Sequence, residues 1–247
     1  MSHKYILNPN YTHFKDNLLN IQTIFDASNT SIHKARNELK VIEIDGTKYV
    51  VKSFKIPHLV NRTAYTFLRD GKAKKSYLNA VKLMELKVNT PEPIGVIEFF
   101  ENNLLTQSYF VSLYEEYNFT IREVFHHKVE NVKKILHEFA QFTYDIHQKG
   151  IWHVDYSLGN ILITKLKDDY KFSLVDINRM HFKTISPKEG LTNFNKFWAK
   201  EEDLEYIVQE YAKLSNLDFN EALKITKKSV QKIKRQKNIK NYLKNKK

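Results

Sequence analysis

Apolar residues alternate along some stretches of this chain and recur every three to four positions along others. Residues 39–54, "LKVIEIDGTKYVVKSF", place Val41 and Ile44 in one β-rich run and Tyr49, Val50 and Val51 in the next. Asp45-Gly46 between them tolerates positive φ, so the segment predicts a hairpin. Residues 71–87 switch to helical spacing, with Ala73, Tyr77, Ala80 or Val81, and Met84 on one face. "TPEP" at 90–93 ends that helix, because Pro cannot continue it and restricts the residue before it. A second hairpin is expected from "IGVIEFF" and "LLTQSYFVSLY" around the polar turn Glu101-Asn102-Asn103.

After the break at 115–120, Thr120 with Glu123 three residues on reads as the start of a short helix. The longest predicted helix is 131–148, with Val132, Ile135, Leu136, Phe139, Phe142 and Ile146 on its apolar face and Gly150 as terminator. A polar loop follows, then strands over 160–164 and 170–177 joined by Lys167-Asp168-Asp169. From about Gly190 the pattern is helical. The expected class is α+β, with a β-rich lobe of one main helix over 1–115 and a mainly helical lobe over 116–247. A cleft between two such lobes is where ligands prefer to bind.

The sequence has no Cys, which excludes disulfides and Cys-based metal sites. No run approaches eighteen apolar residues, and the N-terminus lacks the apolar core of a signal peptide, so a cytoplasmic protein is expected. The formal net charge is +12, and eleven of those charges are Lys or Arg of the tail over 224–247, where no acidic residue follows Glu221. Such a tail can lie on an anionic membrane surface, neutralise nucleic-acid phosphates, or be simply a solvated helix; nucleic acid is the least favoured of the three.

The loop "GIWHVDYSLGNILI" (150–163) sets His153, Asp155 and Asn160 at the spacing of a kinase catalytic loop. A phosphoryl acceptor needs a carboxylate to orient its hydroxyl and take the proton, a role for Asp155. Magnesium needs oxygen ligands, which Asn160 and Asp176 can supply. The upstream "YVVK" offers Lys52 for nucleotide phosphates. Each residue also has a plainer reading: a loop carboxylate, a turn residue, or a strand lysine near Lys48 and Lys55. His153 is expected to pack and hydrogen-bond near Asp176 without transferring protons. His147, His126 and His127 are expected to pack or lie on the surface, with no zinc spacing among them.

Together "GIWHVDYSLGNILI", "FSLVDINRMHF", "DGTKYVVKSFK" and "TPEPIG" resemble the Kdo/WaaP family of lipopolysaccharide kinases, over about residues 36–200. The resemblance implies a bilobal protein-kinase-like fold. It also implies ATP- and Mg²⁺-dependent phosphorylation of a sugar hydroxyl, Kdo or heptose, in the inner core, on the cytoplasmic face of the inner membrane. It carries Asp155 over as base, Asn160 and Asp176 as Mg²⁺ ligands, and Lys52 to the nucleotide phosphates. Asn178 and Arg179 would shape the acceptor side. "SLYEE" would be the inter-lobe linker whose backbone, at Glu115 and Glu116, reads adenine. The acceptor would be a lipopolysaccharide precursor, Kdo-lipid A or core oligosaccharide, with the basic tail on the anionic membrane.

Several features depart from protein kinases. Arg36-Asn37 stands where a phosphate-covering Gly-rich turn would lie, Val154 replaces the arginine of the loop, and no "APE" follows Asp176. The helix over 71–84 contains no Glu, so the partner of Lys52 is open: Glu85 at the helix end, another group, or none. The alternatives are a small-molecule phosphotransferase of the aminoglycoside or choline kinase type, and a non-catalytic kinase-like nucleotide-binding protein. Acidic acceptor-side residues would favour the first, and the sequence offers few; the missing glutamate favours the second, against which stands the intact set of Asp155, Asn160 and Asp176.

Overall fold

The computed structural model describes residues 2–34, 37–54 and 70–245. The chain folds as two compact units: Met1–Glu116 with Asp176–Asn178, and Tyr117–Val175 with Arg179–Lys247.

The first unit is built on strands β1 (Ser2–Leu7), β2 (Ser31–Lys34), β3 (Asn37–Ile44), β4 (Thr47–Phe54), β5 (Pro93–Glu101) and β6 (Leu104–Leu113). They form one antiparallel sheet in the order β1-β5-β6-β4-β3-β2. Both expected hairpins are present. Ile44 pairs with Thr47 around Asp45-Gly46, and both turn residues have positive φ (51° and 74°). Glu101 pairs with Leu104 around Asn102-Asn103, at 49° and 60°. These two-residue turns match the right-handed twist of the strands they join, and Glu101 belongs to the strand.

The patterning assigns no element before residue 39, yet helices α1 (Lys15–Leu19) and α2 (Ile21–Ala27) precede β2. The signal is there: Phe14, Leu18, Ile21 and Phe25 follow helical spacing and are all buried against Tyr49, Val51, Tyr109 and Val111. Lys40 is buried as well, its ammonium donating to the carbonyls of Phe25 and Ser28, both at 2.7 Å. A cation at a helix C-terminus satisfies carbonyls left without intrahelical partners.

Helix α3 (Lys72–Glu85) buries Ala73, Ser76, Tyr77, Ala80 and Leu83. Met84, expected on that face, is exposed, because the packed stripe runs through Leu83. From the same helix Asn79 Nδ2 donates to the carbonyl of Ile177 at 2.6 Å, one of the contacts that place Asp176–Asn178 in this unit.

The second unit starts with β7 (Phe119–Thr120) and α4 (Ile121–Phe125). Thr120 and Glu123 form the expected reciprocal cap. Helix α5 (Val132–Gln148) ends at Gly150, whose φ of +72° suits glycine alone; a Cβ there would sit 2.7 Å from the Lys183 carbonyl. Strands β8 (Ile151–His153), β9 (Ile161–Lys165), β10 (Tyr170–Leu174) and β11 (Met180–Phe182) make two small antiparallel sheets, β10-β9-β7 and β11-β8. The strand expected over 170–177 stops at Leu174, because Asp176 adopts φ +55° and cannot continue a ladder. Helices α6 (Pro187–Leu191), α7 (Glu201–Leu214) and α8 (Phe219–Asn245) complete the unit.

Phe197 centres the core of this unit, with ring centroids of Phe125, Phe139, Tyr156 and Phe194 at 5.5–5.7 Å. His147 is buried near it; Tyr211 Oη lies 2.9 Å from Nδ1 and Asn193 Oδ1 lies 3.2 Å from Nε2. An amide oxygen only accepts, so Nε2 carries the proton and Nδ1 accepts from the tyrosine.

Burial pulls His147 down to about 4, outweighing the Asn193 hydrogen bond and the Glu189 charge. The folded value lies below that of the unfolded chain, so stability is complete above about pH 6.5 and falls as the pH drops toward 4, where the unfolded chain alone takes the proton. The whole window is worth about 3 kcal/mol. Thermal unfolding from pH 7.5 to 4.5 should show a fall in midpoint that a His147→Gln variant largely lacks. Asn79→Ala should cost about 1–2 kcal/mol in denaturant unfolding; a change within experimental error would mean the bond to Ile177 contributes nothing.

Candidate active site

The loop between β8 and β9 is pinned from inside. His153 is fully buried, and its Nδ1 lies 3.0 Å from the Asp155 backbone nitrogen. That nitrogen can only donate, so Nδ1 accepts and Nε2–H donates to the Val175 carbonyl at 3.0 Å. Asn193 Nδ2 donates to the His153 carbonyl at 3.1 Å. The β8–β11 ladder pairs His153 with Met180, and Val154 N–H donates to the Arg179 carbonyl at 3.0 Å. This register sets Arg179 beside Asp155.

The Asp155 carboxylate lies between two cations. Lys196 donates to Oδ1 at 2.6 Å, and the Arg179 guanidinium bonds Oδ2. Burial pushes the carboxyl up, but the Lys196 hydrogen bond and the charges of Lys196 and Arg179 outweigh it and hold the group below its usual range. Asp155 is therefore ionised at neutral pH. The next residue, Tyr156, is fully buried and shares a 2.8 Å hydrogen bond with Thr143.

Asn160 ends the one-turn 3₁₀ helix Leu158–Asn160. Its Nδ2 donates to the Asp155 carbonyl at 2.9 Å, which fixes the amide, and no described residue donates to its Oδ1. Its backbone carbonyl accepts from Val175 N–H at 3.0 Å.

In the first unit, Asp176 has left-handed backbone and pairs through Oδ1 with Lys52 of β4. Strand alternation carries Lys52 to the sheet face opposite Val51. A non-glycine residue at positive φ stores strain, which is found at functional sites more than elsewhere. Asn178 Oδ1 is buried and accepts from no described residue. Within this first unit, the Asp176 carboxylate and the orphaned buried Asn178 amide oxygen are each hard donors of the kind Mg²⁺ takes, and so, within the second unit, is the Asn160 amide oxygen. Among the described residues no three His, Asp or Glu side chains cluster as a metal site on their own.

Glu85 does not reach Lys52: it pairs with Lys82 at 2.9 Å at the exposed end of α3, and the lysine has Asp176 instead. Asn37 opens β3 opposite Phe54, in strand rather than in a turn, and Arg36 lies outside the described residues, as does Lys55. Glu115 is half-buried and Glu116 exposed, in the extended stretch after β6, where Tyr114 N–H donates to the Lys48 carbonyl. Sequence reasoning missed Lys196 altogether. It lies 41 residues from Asp155, and the neighbouring Phe194 and Phe197, which anchor it, were its single local mark.

The model of the lipopolysaccharide kinase (Kdo/WaaP) family matches residues 60–235. No curated protein matches the chain in sequence. A solved structure described as WaaP in complex with acyl carrier protein superposes with a TM-score of 0.60 at 16% identity, covering 94% of this chain and 97% of that one. WbdD, in a co-crystal structure with the kinase inhibitor LY294002, gives a TM-score of 0.44 at 15% identity, over 81% of this chain and 44% of that one. The fold is kinase-like, with a β-rich first unit and a mainly helical second. With more than half of its length matched by the family model, the chain belongs to the lipopolysaccharide kinase (Kdo/WaaP) family and is a phosphotransferase of the ATP-using kinase class.

Proposed function

We propose that this kinase phosphorylates a sugar hydroxyl, on Kdo or heptose, of the lipopolysaccharide inner core, presented as Kdo-lipid A or core oligosaccharide. The observation that carries this is the ion pair between Lys52 and Asp176, residues 124 apart in the chain. A lysine suited to phosphates and a carboxylate that would hold a metal ion have little other reason to be paired in a half-buried position.

Asp155 orients the acceptor hydroxyl and receives its proton. Its depressed proton affinity makes it an orienting group more than a strong base, which suits a transfer whose barrier is lowered mainly by positioning and charge. Asp176 and Asn160 are the residues that would hold Mg²⁺. Bound there, the ion neutralises charge on the transferring phosphates. Lys52 serves the nucleotide phosphates, the backbone at Glu115 and Glu116 reads adenine, and Asn178 and Arg179 shape the acceptor side.

No helix of the described residues is long and apolar enough to cross a membrane. Work on a lipid-borne acceptor calls for a surface that meets the bilayer, and α8 supports one. Its packed face carries Ala222, Thr226 and Val230. About half a turn round, by helical spacing, lie the exposed Lys224, Lys228, Lys232 and Arg235, followed by Ile239 and Tyr242 at 61% and 60% exposure. Cations followed by an aliphatic and an aromatic side chain suit an anionic lipid interface. The enzyme then works on the cytoplasmic face of the inner membrane.

With radiolabelled ATP, Mg²⁺ and Kdo-lipid A, the wild-type chain should label the lipid. Asp155→Ala should abolish turnover with nucleotide binding kept, and Asp176→Ala should remove Mg-dependent nucleotide binding too; near wild-type turnover in either variant would refute these roles. In co-sedimentation, the chain should pellet with phosphatidylglycerol vesicles and not with phosphatidylcholine vesicles. The triple variant K228E/K232E/R235E should stay in the supernatant, and pelleting as well as wild type would exclude α8 as the contact.

A further inference from the structure

Lys196 is set on Asp155 more closely than any function assigned so far explains. Its ammonium donates to Asp155 Oδ1 at 2.6 Å and to the Val154 carbonyl at 2.9 Å. An ammonium has three N–H donors; two are spent on the loop, and no described residue accepts the third. The side chain as a whole is 28% exposed.

Its backbone is held rigidly. The next residue, Phe197, is 1% exposed and is the hub of the ring cluster that also contains Tyr156, at 5.5 Å. Tyr156 follows Asp155 directly. The lysine and the carboxylate are thus each one residue from a member of the same close-packed aromatic pair, and their mutual placement is inherited from the core.

Folding stability is a poor reason for this contact, because ion pairs with this much solvent access contribute little. Basicity is a poorer one, since a neighbouring cation weakens a carboxylate as proton acceptor. Phosphoryl transfer supplies a better reason. Its transition state spreads negative charge over the equatorial oxygens of the moving group, and preorganised positive charge at that point lowers the barrier. Arg179 also bonds the carboxylate, but its side chain is 56% exposed and makes no second bond to the loop among the described residues, so it is the less fixed of the two cations.

We propose that Lys196 is a catalytic residue whose ammonium contacts an equatorial oxygen of the γ-phosphoryl group of ATP during transfer. The proposal rests on the kinase reading above, with Asp155 at the acceptor hydroxyl. In the step, the acceptor oxygen forms a bond to the γ-phosphorus and its proton passes to the Asp155 carboxylate. The bond from that phosphorus to the β–γ bridging oxygen breaks, and its electron pair leaves on ADP. Lys196 holds Asp155 in place through its other donors.

The test is steady-state kinetics of Lys196→Met and Lys196→Arg with ATP, Mg²⁺ and Kdo-lipid A, alongside thermal unfolding of each. The methionine variant keeps the apolar stem and loses the charge. It should lower kcat by about 100- to 1000-fold, with the KM for ATP within about threefold and the unfolding midpoint unchanged. The arginine variant should recover at least about tenfold of that loss, because it restores charge and donors. A methionine variant with kcat near wild type overturns the proposal. So does a loss seen wholly in KM, or one that arginine does not rescue and that comes with a lower unfolding midpoint. A wild-type chain that transfers no phosphate overturns the kinase reading itself, a result reached before any variant is compared.

Discussion

The buried ring of His153 is the constraint on which the catalytic-loop geometry depends. It spends both nitrogens on backbone, accepting from Asp155 N–H and donating to the Val175 carbonyl. One ring thereby fixes the residue that carries the loop carboxylate and the residue that precedes Asp176. A fully buried imidazole with both nitrogens bonded has one tautomer and no room for a second rotamer. The β8–β11 and β9–β10 ladders add backbone bonds around it, so that Asn160 and Val175 are joined and Arg179 is brought to Asp155.

Charge is arranged around that frame in a consistent way. Each candidate carboxylate is matched with cations before any ligand arrives: Asp176 with Lys52, and Asp155 with Lys196 and Arg179. Both carboxylates are partly buried, where an unpaired charge would be costly. Pairing orients both carboxylates. The same logic explains why Lys52 needs no glutamate from α3. Asp176 neutralises Lys52, and Asn79 ties the helix to the Ile177 carbonyl with an uncharged side chain.

The aromatic core of the second unit serves the site as much as it serves stability. Tyr156 and Phe197 lie in one cluster, and the ion-paired Asp155 and Lys196 are their chain neighbours. Rings packed at interior density tolerate little displacement, so the polar atoms attached to them keep their spacing. α8 makes its own division of labour, packing Ala222, Thr226 and Val230 inward and leaving its cations outward.

Local features were legible from the sequence because their causes are local. Asp45-Gly46 and the Asn102-Asn103 pair take positive φ, Gly150 ends α5, and Thr120 with Glu123 caps α4. The spacing of His153, Asp155 and Asn160 likewise lies within one loop, and it drew attention to Asp176 and Lys52 through the order of strands around them. Phe14, Leu18, Ile21 and Phe25 had helical spacing too, but in turns so short that their burial depends on the sheet they cover. What the linear pattern could not express is which distant groups meet. Glu85, the last residue of α3, was the candidate partner of Lys52, yet Asp176, 124 residues from the lysine, fills that place. The expected strand over 170–177 had to stop at Leu174 once Asp176 turned into left-handed backbone. Lys196 reaches Asp155 across 41 residues because Phe197 packs on Tyr156. Turn and cap preferences are set by a residue and its immediate neighbours, whereas ion pairs across the fold are set by packing, which exists only once the chain has closed on itself.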